Sequence, residues 1–138
     1  MSTASAVPDV AERQDVADLL TRYCQAVDGA DLDGVCALFG DATVDFRGRR
    51  VNGPALREVY AGAFASGTHT AHCISNLFVT DRAATAGPSP QLAYQATYQR
   101  YHLGDGPPLL AAIGFYRGTV THSATGITWL THEVRATP

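Results

Sequence analysis

Lysine is missing from the chain altogether. Its ten basic residues are all arginine, so a Schiff-base lysine and a P-loop lysine are both excluded. No block of basic residues occurs and the formal net charge is −3. A phosphate-backbone footprint is therefore lacking, and no nucleic-acid partner is expected. No apolar run approaches membrane-spanning length, so no membrane partner is expected either. The opening MSTASAVP has neither a charged n-region nor an apolar h-region, and it does not read as a secretory signal. The three cysteines, Cys24, Cys36 and Cys73, are odd in number and widely spaced. They read as reduced thiols of a cytoplasmic protein, better suited to packing than to reactivity. There is no HExxH helix, paired-cysteine motif, GxSxG elbow or nucleotide-binding motif, so neither a metal nor a cofactor is expected.

What is present suits one globular core. The chain has 138 residues, 46% of them hydrophobic, enough for a single domain. Residues 1–8 read as a flexible tail and 9–138 as one domain. Asp9 and Glu12 have capping-box spacing. Val16, Leu20, Tyr23, Cys24 and Val27 then recur at helical spacing as far as Gly29. Asp31 can cap a second, short helix ending at Gly40. Residues 42–46 read as a strand, GRRVNG as a turn or short strand, and Pro54 as the opening of a third helix that carries Leu56, Val59, Tyr60 and Phe64. Residues 69–80, 91–102, 109–121 and 127–136 read as strands; DRAATAGPSP and GDGPP lie between them as a loop and a turn. Helices first and an antiparallel meander afterwards imply an α+β fold. Tyr94, Ala96, Tyr98, Arg100 and His102 share one strand face and Gln95, Thr97, Gln99 and Tyr101 the other. One face can cover the helices and the other a partner subunit.

The unusual chemistry sits in THTAHCISN, residues 68–76. His69 and His72 are three apart, on opposite strand faces, which disfavours a shared metal ion. Cys73 is adjacent to His72 and its side chain diverges, so the pair lacks the contact that would activate a thiol. His72 and Asn76 are four apart and share a face with Ile74 between them, as in a pocket wall. Spacing alone favours the plainer reading, a histidine bonded to a backbone carbonyl and an asparagine hydrogen-bonded at a strand end. On the first helix Asp28 lies at the edge of the apolar stripe, one turn after Cys24. A carboxylate there is at the unfavourable end of the helix dipole. It can be solvated, or help cap the next helix, or turn inward to orient a histidine.

The order RYxxAxDxxD in a helix, a short helix ending LF, a strand, a third helix, then TxHxxxN opening a sheet resembles the SnoaL-like branch of the nuclear transport factor 2-like superfamily. The resemblance spans nearly the whole chain. It implies a cone-shaped barrel, with three N-terminal helices packed over a curved antiparallel sheet and a deep, mostly apolar pocket. Scytalone dehydratase, bile acid 7α-dehydratase, ketosteroid isomerase and polyketide cyclases share this fold; many members are homodimers and several are not catalytic. The aspartate and TQHF histidine of scytalone dehydratase fall on Asp28 and His72, and its second histidine on Tyr98. Its two pocket tyrosines fall on Val27 and Phe46, and a serine and asparagine fall near Leu110 and Ala112. Bile acid 7α-dehydratase matches through Tyr23, Asp28 and His72. The resemblance therefore implies catalytic roles for Asp28, His72 and Tyr23, with Phe46, Tyr60, Asn76, Tyr98, Leu110 and Ala112 on the substrate. It implies a homodimeric, cofactor-independent cyclase, dehydratase or isomerase of secondary metabolism acting on an apolar oxygenated small molecule. The alternative is a non-catalytic binding or assembly domain of the same fold.

Overall fold

The computed structural model describes residues 8–81 and 90–137. Of the expected tail, residues 1–7 lie outside the described residues, and Pro8 is buried. The loop read over 81–90 lies mostly outside them as well; Asp81 still belongs to a strand.

Helix α1 (Val10–Asp28) opens with the expected capping box. Asp9 Oδ1 accepts the Glu12 N–H at 2.7 Å, and Glu12 Oε1 accepts the Asp9 N–H at 3.1 Å. Two otherwise orphaned donors are thereby satisfied. Its buried stripe is Val16, Leu19, Leu20, Tyr23 and Cys24, the i, i+3, i+4 pattern of a helix with one apolar face. Asp31 accepts from Gly34 N–H at 3.0 Å and starts α2 (Leu32–Phe39). A Cβ at Gly34 would meet the Asp31 carboxylate, which would have to shift to make room. Helix α3 (Gly53–Ala65) carries Pro54 in its first turn, where a missing N–H costs nothing.

Six strands follow the order β2-β1-β6-β5-β4-β3, from β1 (Thr43–Phe46), β2 (Arg49–Val51), β3 (His69–Asp81), β4 (Gln91–Leu103), β5 (Leu109–Ser123) and β6 (Gly126–Ala136). The meander β3 to β6 is antiparallel, as its sequence indicates. The short β1 adds one parallel pairing, to β6, so the sheet is mixed. It is curved but not closed, because β2 and β3 are its two unpaired edges. Each of the three meander pairings contains a register shift, between Ser75 and Phe78, between Arg100 and Tyr101, and between Thr119 and Val120. Such bulges bend strands and increase their twist.

The inner face is aromatic. Tyr94, Tyr98, Tyr116 and Trp129 are buried there; Tyr116 and Trp129 meet Tyr23 of α1, and Trp129 meets Phe39 of α2. Tyr98 and Tyr94 lie across β5 opposite Gly114 and Gly118. A Cβ at either glycine would collide with the tyrosine ring and the backbone of β6. Each such ring contributes on the order of 2 kcal/mol by leaving water.

Among the described residues, His132 is the one buried side chain of this core that is neither apolar nor phenolic. The Tyr94 hydroxyl accepts from Trp129 Nε1–H at 2.7 Å and shares a second hydrogen bond, of 2.5 Å, with His132 Nδ1. The ring is held neutral, since burial lowers its pKa from 6.5 to about 3. The unfolded chain therefore binds a proton that the folded chain refuses. Stability from this site is complete above about pH 6.5 and is lost as pH falls from there toward about 3. Urea midpoints followed downward from pH 6.5 should decline in the native protein and decline less steeply in His132→Gln; equal slopes would refute this account.

Candidate active site

A cavity of about 420 Å³ opens between the C-terminal turn of α1, helix α3, the β1–β2 hairpin and the inner face of the sheet. That is within the usual size range for small-molecule sites. Val27, Phe46, Val59 and Phe64 supply apolar wall, and Asp28, His72, Arg47 and Arg100 supply charge or hydrogen bonds.

Asp28 is the last residue of α1 and turns inward. It accepts three protons from β3: Thr70 Oγ1 donates at 3.0 Å, the His72 backbone N–H at 2.9 Å, and His72 Nδ1 lies 2.5 Å away. The alternation of β3 makes this possible, because Thr70 and His72 are two apart on its inner face. With Nδ1–H committed to the carboxylate, Nε2 is left with its lone pair. The His72 side chain is only 7% exposed, and its surroundings include the cavity. A fixed tautomer beside an enclosed space is the geometry a histidine base requires.

Four phenols line the same cavity. Tyr23 and Tyr60 share a hydrogen bond of 2.7 Å, and Tyr98 stacks on Tyr116 with centroids 4.4 Å apart. Tyr98 also faces the His72 ring at 6.4 Å. Burial pushes all four phenols upward; Tyr23 and Tyr60 are moderated or reinforced by each other, and Tyr98 is pulled back by Arg100 and Arg47. At neutral pH these hydroxyls are donors and not bases. They can hydrogen-bond a carbonyl or a developing oxyanion, and none of them competes with His72 for a proton.

The structure brings Asp28, His72, Tyr23, Phe46, Tyr60 and Tyr98 together around the cavity. Asn76, Leu110 and Ala112 are not on its wall. Asn76 is the extra residue of the β3 bulge, with φ of 55°, and its amide reaches Thr97 Oγ1 at 3.4 Å. The inserted residue breaks the period of two, so His72 and Asn76 do not share a face. The same effect moves Leu110. Tyr101 pairs with Leu110 while its neighbour Arg100 pairs with Ala112, so one residue is skipped and Leu110 falls on the outer face, 51% exposed. Ala112 is on the inner face but packs against the core. Cys73 is exposed on the far side from His72, while burial, with Asp28 nearby, pushes the Cys24 thiol up to about 12. Among the described residues no three His, Cys, Asp or Glu side chains cluster as a metal site, and no helix is long and apolar enough to cross a membrane.

Among the lining residues that escaped the sequence reading of the site are Thr70, Tyr116, Arg47 and Arg100. Thr70 and Tyr116 were within reach of period-two counting, from His72 and from Tyr98 across β5. Arg47 was not, because its position depends on a hairpin turn.

The chain belongs to the SnoaL-like domain family, whose match runs over residues 8–135. Several solved structures share its architecture. One is a Novosphingobium aromaticivorans protein provisionally named an aromatic ring hydroxylase, 25% identical, with 95% of this chain and 93% of that chain covered at a TM-score of 0.74. Aln2 from a Streptomyces species is 20% identical, with 95% and 94% covered at 0.75. A protein provisionally named a scytalone dehydratase, also from Novosphingobium aromaticivorans, is 19% identical, with 94% and 86% covered at 0.68. No curated protein matches the chain.

The clamp on His72 has a direct spectroscopic signature. Long-range proton–nitrogen spectra at mildly alkaline pH should show His72 protonated at Nδ1 and bare at Nε2. Asp28→Asn should mix the tautomers without unfolding the protein; an Nε2–H tautomer in the native protein would contradict the geometry.

Proposed function

We propose that this protein is a cofactor-independent acid–base enzyme, a cyclase, dehydratase or isomerase acting on an apolar oxygenated small molecule of secondary metabolism. The observation that carries the reading is the 2.5 Å contact between Asp28 and His72 Nδ1, which leaves Nε2 to the cavity. In this mechanism Nε2 takes a proton from a carbon beside a carbonyl. The imidazolium so formed is stabilised by Asp28, and the developing enolate oxygen is met by a neutral phenol from Tyr23, Tyr60 or Tyr98. The imidazolium then returns the proton to another carbon, or to a departing hydroxyl that leaves as water. The structural relative provisionally named a scytalone dehydratase fits such chemistry in name.

A substrate-independent test is available. Hydroxylated bicyclic and polycyclic ketones incubated in heavy water should gain deuterium at the α-carbon, detected by mass. His72→Ala should slow this by about 10²–10⁴-fold, Asp28→Asn should slow it less, and circular dichroism should show both variants folded. Near-native exchange in folded His72→Ala would end the acid–base reading.

A second reading is a non-catalytic binding or assembly domain. Val27 and Phe46 favour it, since both put apolar side chains on the cavity wall where the resemblance to scytalone dehydratase expects hydroxyls. Tight ketone binding without exchange would support it.

We further propose that the protein is a homodimer joined through the outer face of the sheet. Phe78, Leu110 and Ile113 are exposed there at 68%, 51% and 41%, and the Arg117 guanidinium covers Phe115 at 4.4 Å. A stable interface of this kind buries about 1,600 Å² in total. Light scattering at micromolar concentration should give twice the chain mass, and Phe78→Asp should shift it toward the monomer. A native protein that stays monomeric would refute the dimer.

A further inference from the structure

Two arginines of the cavity lack the partners that several of the protein's other arginines have. Arg50, Arg57, Arg117 and Arg135 each pair with a carboxylate. All thirteen acidic side chains lie within the described residues. None of them pairs with Arg47 or Arg100, although both residues border the cavity. The Nε–H of Arg100 is buried and has no hydrogen-bond acceptor among the described residues. A buried, unpaired charge-bearing donor is costly, and native proteins seldom keep one without use.

The position of Arg100 is also specific. It pairs with His72 across β3 and β4, and with Ala112 on its other side. Its strand neighbours on the inner face thus include the imidazole and no acid. Asp28, the carboxylate of the cavity, is already engaged by three donors of β3. Asp45, near the hairpin, accepts from Gly48 N–H and faces Arg50.

Arg47 occupies a turn that would suit another residue. With φ of 55° at Arg47 and 93° at Gly48, the hairpin has two consecutive left-handed residues, a shape that favours Asn-Gly. Arginine in that conformation is strained, and such strain tends to collect where a side chain is needed. The Arg47 N–H leans on the Val134 carbonyl at 3.4 Å, which ties the turn to the cavity edge formed by β6. Both guanidiniums are close enough to Tyr98 to oppose the effect of burial on its phenol, so the two charges converge on one region.

We propose that Arg47 and Arg100 form an anion site on the wall of the cavity, and that it holds a carboxylate carried by the substrate. The substrate class narrows from an apolar oxygenated molecule to one with an apolar ring system and an acid group at one end. Arg100 takes the carboxylate from beside His72, its partner across β3 and β4. Arg47 closes over it from the hairpin. Planar, forked guanidiniums suit a carboxylate better than a neutral carbonyl. The inference rests on this cavity being the substrate site, but not on catalysis by His72.

The test is binding, measured by calorimetry on the full chain with two matched probes, 2-naphthoate and 2-naphthamide. They share shape and apolar area and differ in charge. The native protein should prefer the carboxylate by about 10–100-fold. Arg100→Met should remove most of that preference and Arg47→Met part of it, while His72→Gln should retain it. Arg47→Met is on an exposed turn and keeps the test decisive if Arg100→Met does not fold. Equal affinity for the two probes, no naphthoate binding at millimolar concentration, or a preference that survives in folded arginine variants would each overturn the proposal. A preference abolished by His72→Gln alone would place the charge on the imidazole and would overturn it too. Loss of the acid–base reading through active His72→Ala would leave these affinities unchanged.

Discussion

A carboxylate at the C-terminal end of a helix faces the negative pole of that helix and gains nothing from it. Asp28 holds this position in α1 because β3 offers it three donors, from Thr70, the His72 backbone and the His72 ring. Much of the site follows from this one clamp. It joins the end of the first helix to an edge strand of the sheet, so the strand turns toward the helix layer. It fixes which imidazole nitrogen carries the proton. It also satisfies a half-buried charge that would otherwise be expensive to keep.

The rest of the cavity is shaped by rings and by the space left for them. Tyr94 and Tyr98 can lie across β5 only because Gly118 and Gly114 oppose them. Tyr116, Tyr23 and Tyr60 then enclose the cavity floor. Burial keeps every one of these phenols protonated. The result is a division of labour by environment: one imidazole held by a carboxylate and several hydroxyls that stay protonated. His132 lies one layer deeper and is held neutral by the same burial. It is bonded to Tyr94 and belongs to the core, so His72 and His132, both on the inner face, have different tasks through their partners alone.

The two faces of the sheet have correspondingly different chemistry. The inner face is closed over by helices and carries buried phenols, an imidazole and an unpaired guanidinium. The outer face carries exposed Phe78 and Ile113 beside threonines and glutamines. Alternation along β4 produces both at once, since Tyr94, Ala96 and Tyr98 go in while Gln95, Thr97 and Gln99 go out. The bulges curve the sheet so that the inner face becomes a cavity wall. They also decide where the alternation is interrupted.

Local signals in the sequence determined the elements. The Asp9–Glu12 spacing, the stripe from Val16 to Cys24, Pro54 and the period-two strands each act over a few residues, and each is found where it was read. The class of fold follows from their order. The proximity of Asp28 and His72, 44 residues apart, came from resemblance to a family and not from spacing. Only the tertiary structure decided the rest. Whether β1 would pair with β6, and in parallel, depends on where the sheet edge passes and not on TVDF itself. Whether Asn76 and Leu110 face the cavity depends on single inserted residues, and one insertion inverts every side chain beyond it. Those insertions are chosen by packing between distant strands. The same holds for Arg47 and Arg100: their residue types are plain in the sequence, but their lack of a carboxylate partner is a property of the assembled fold, because pairing is settled by what else is within reach.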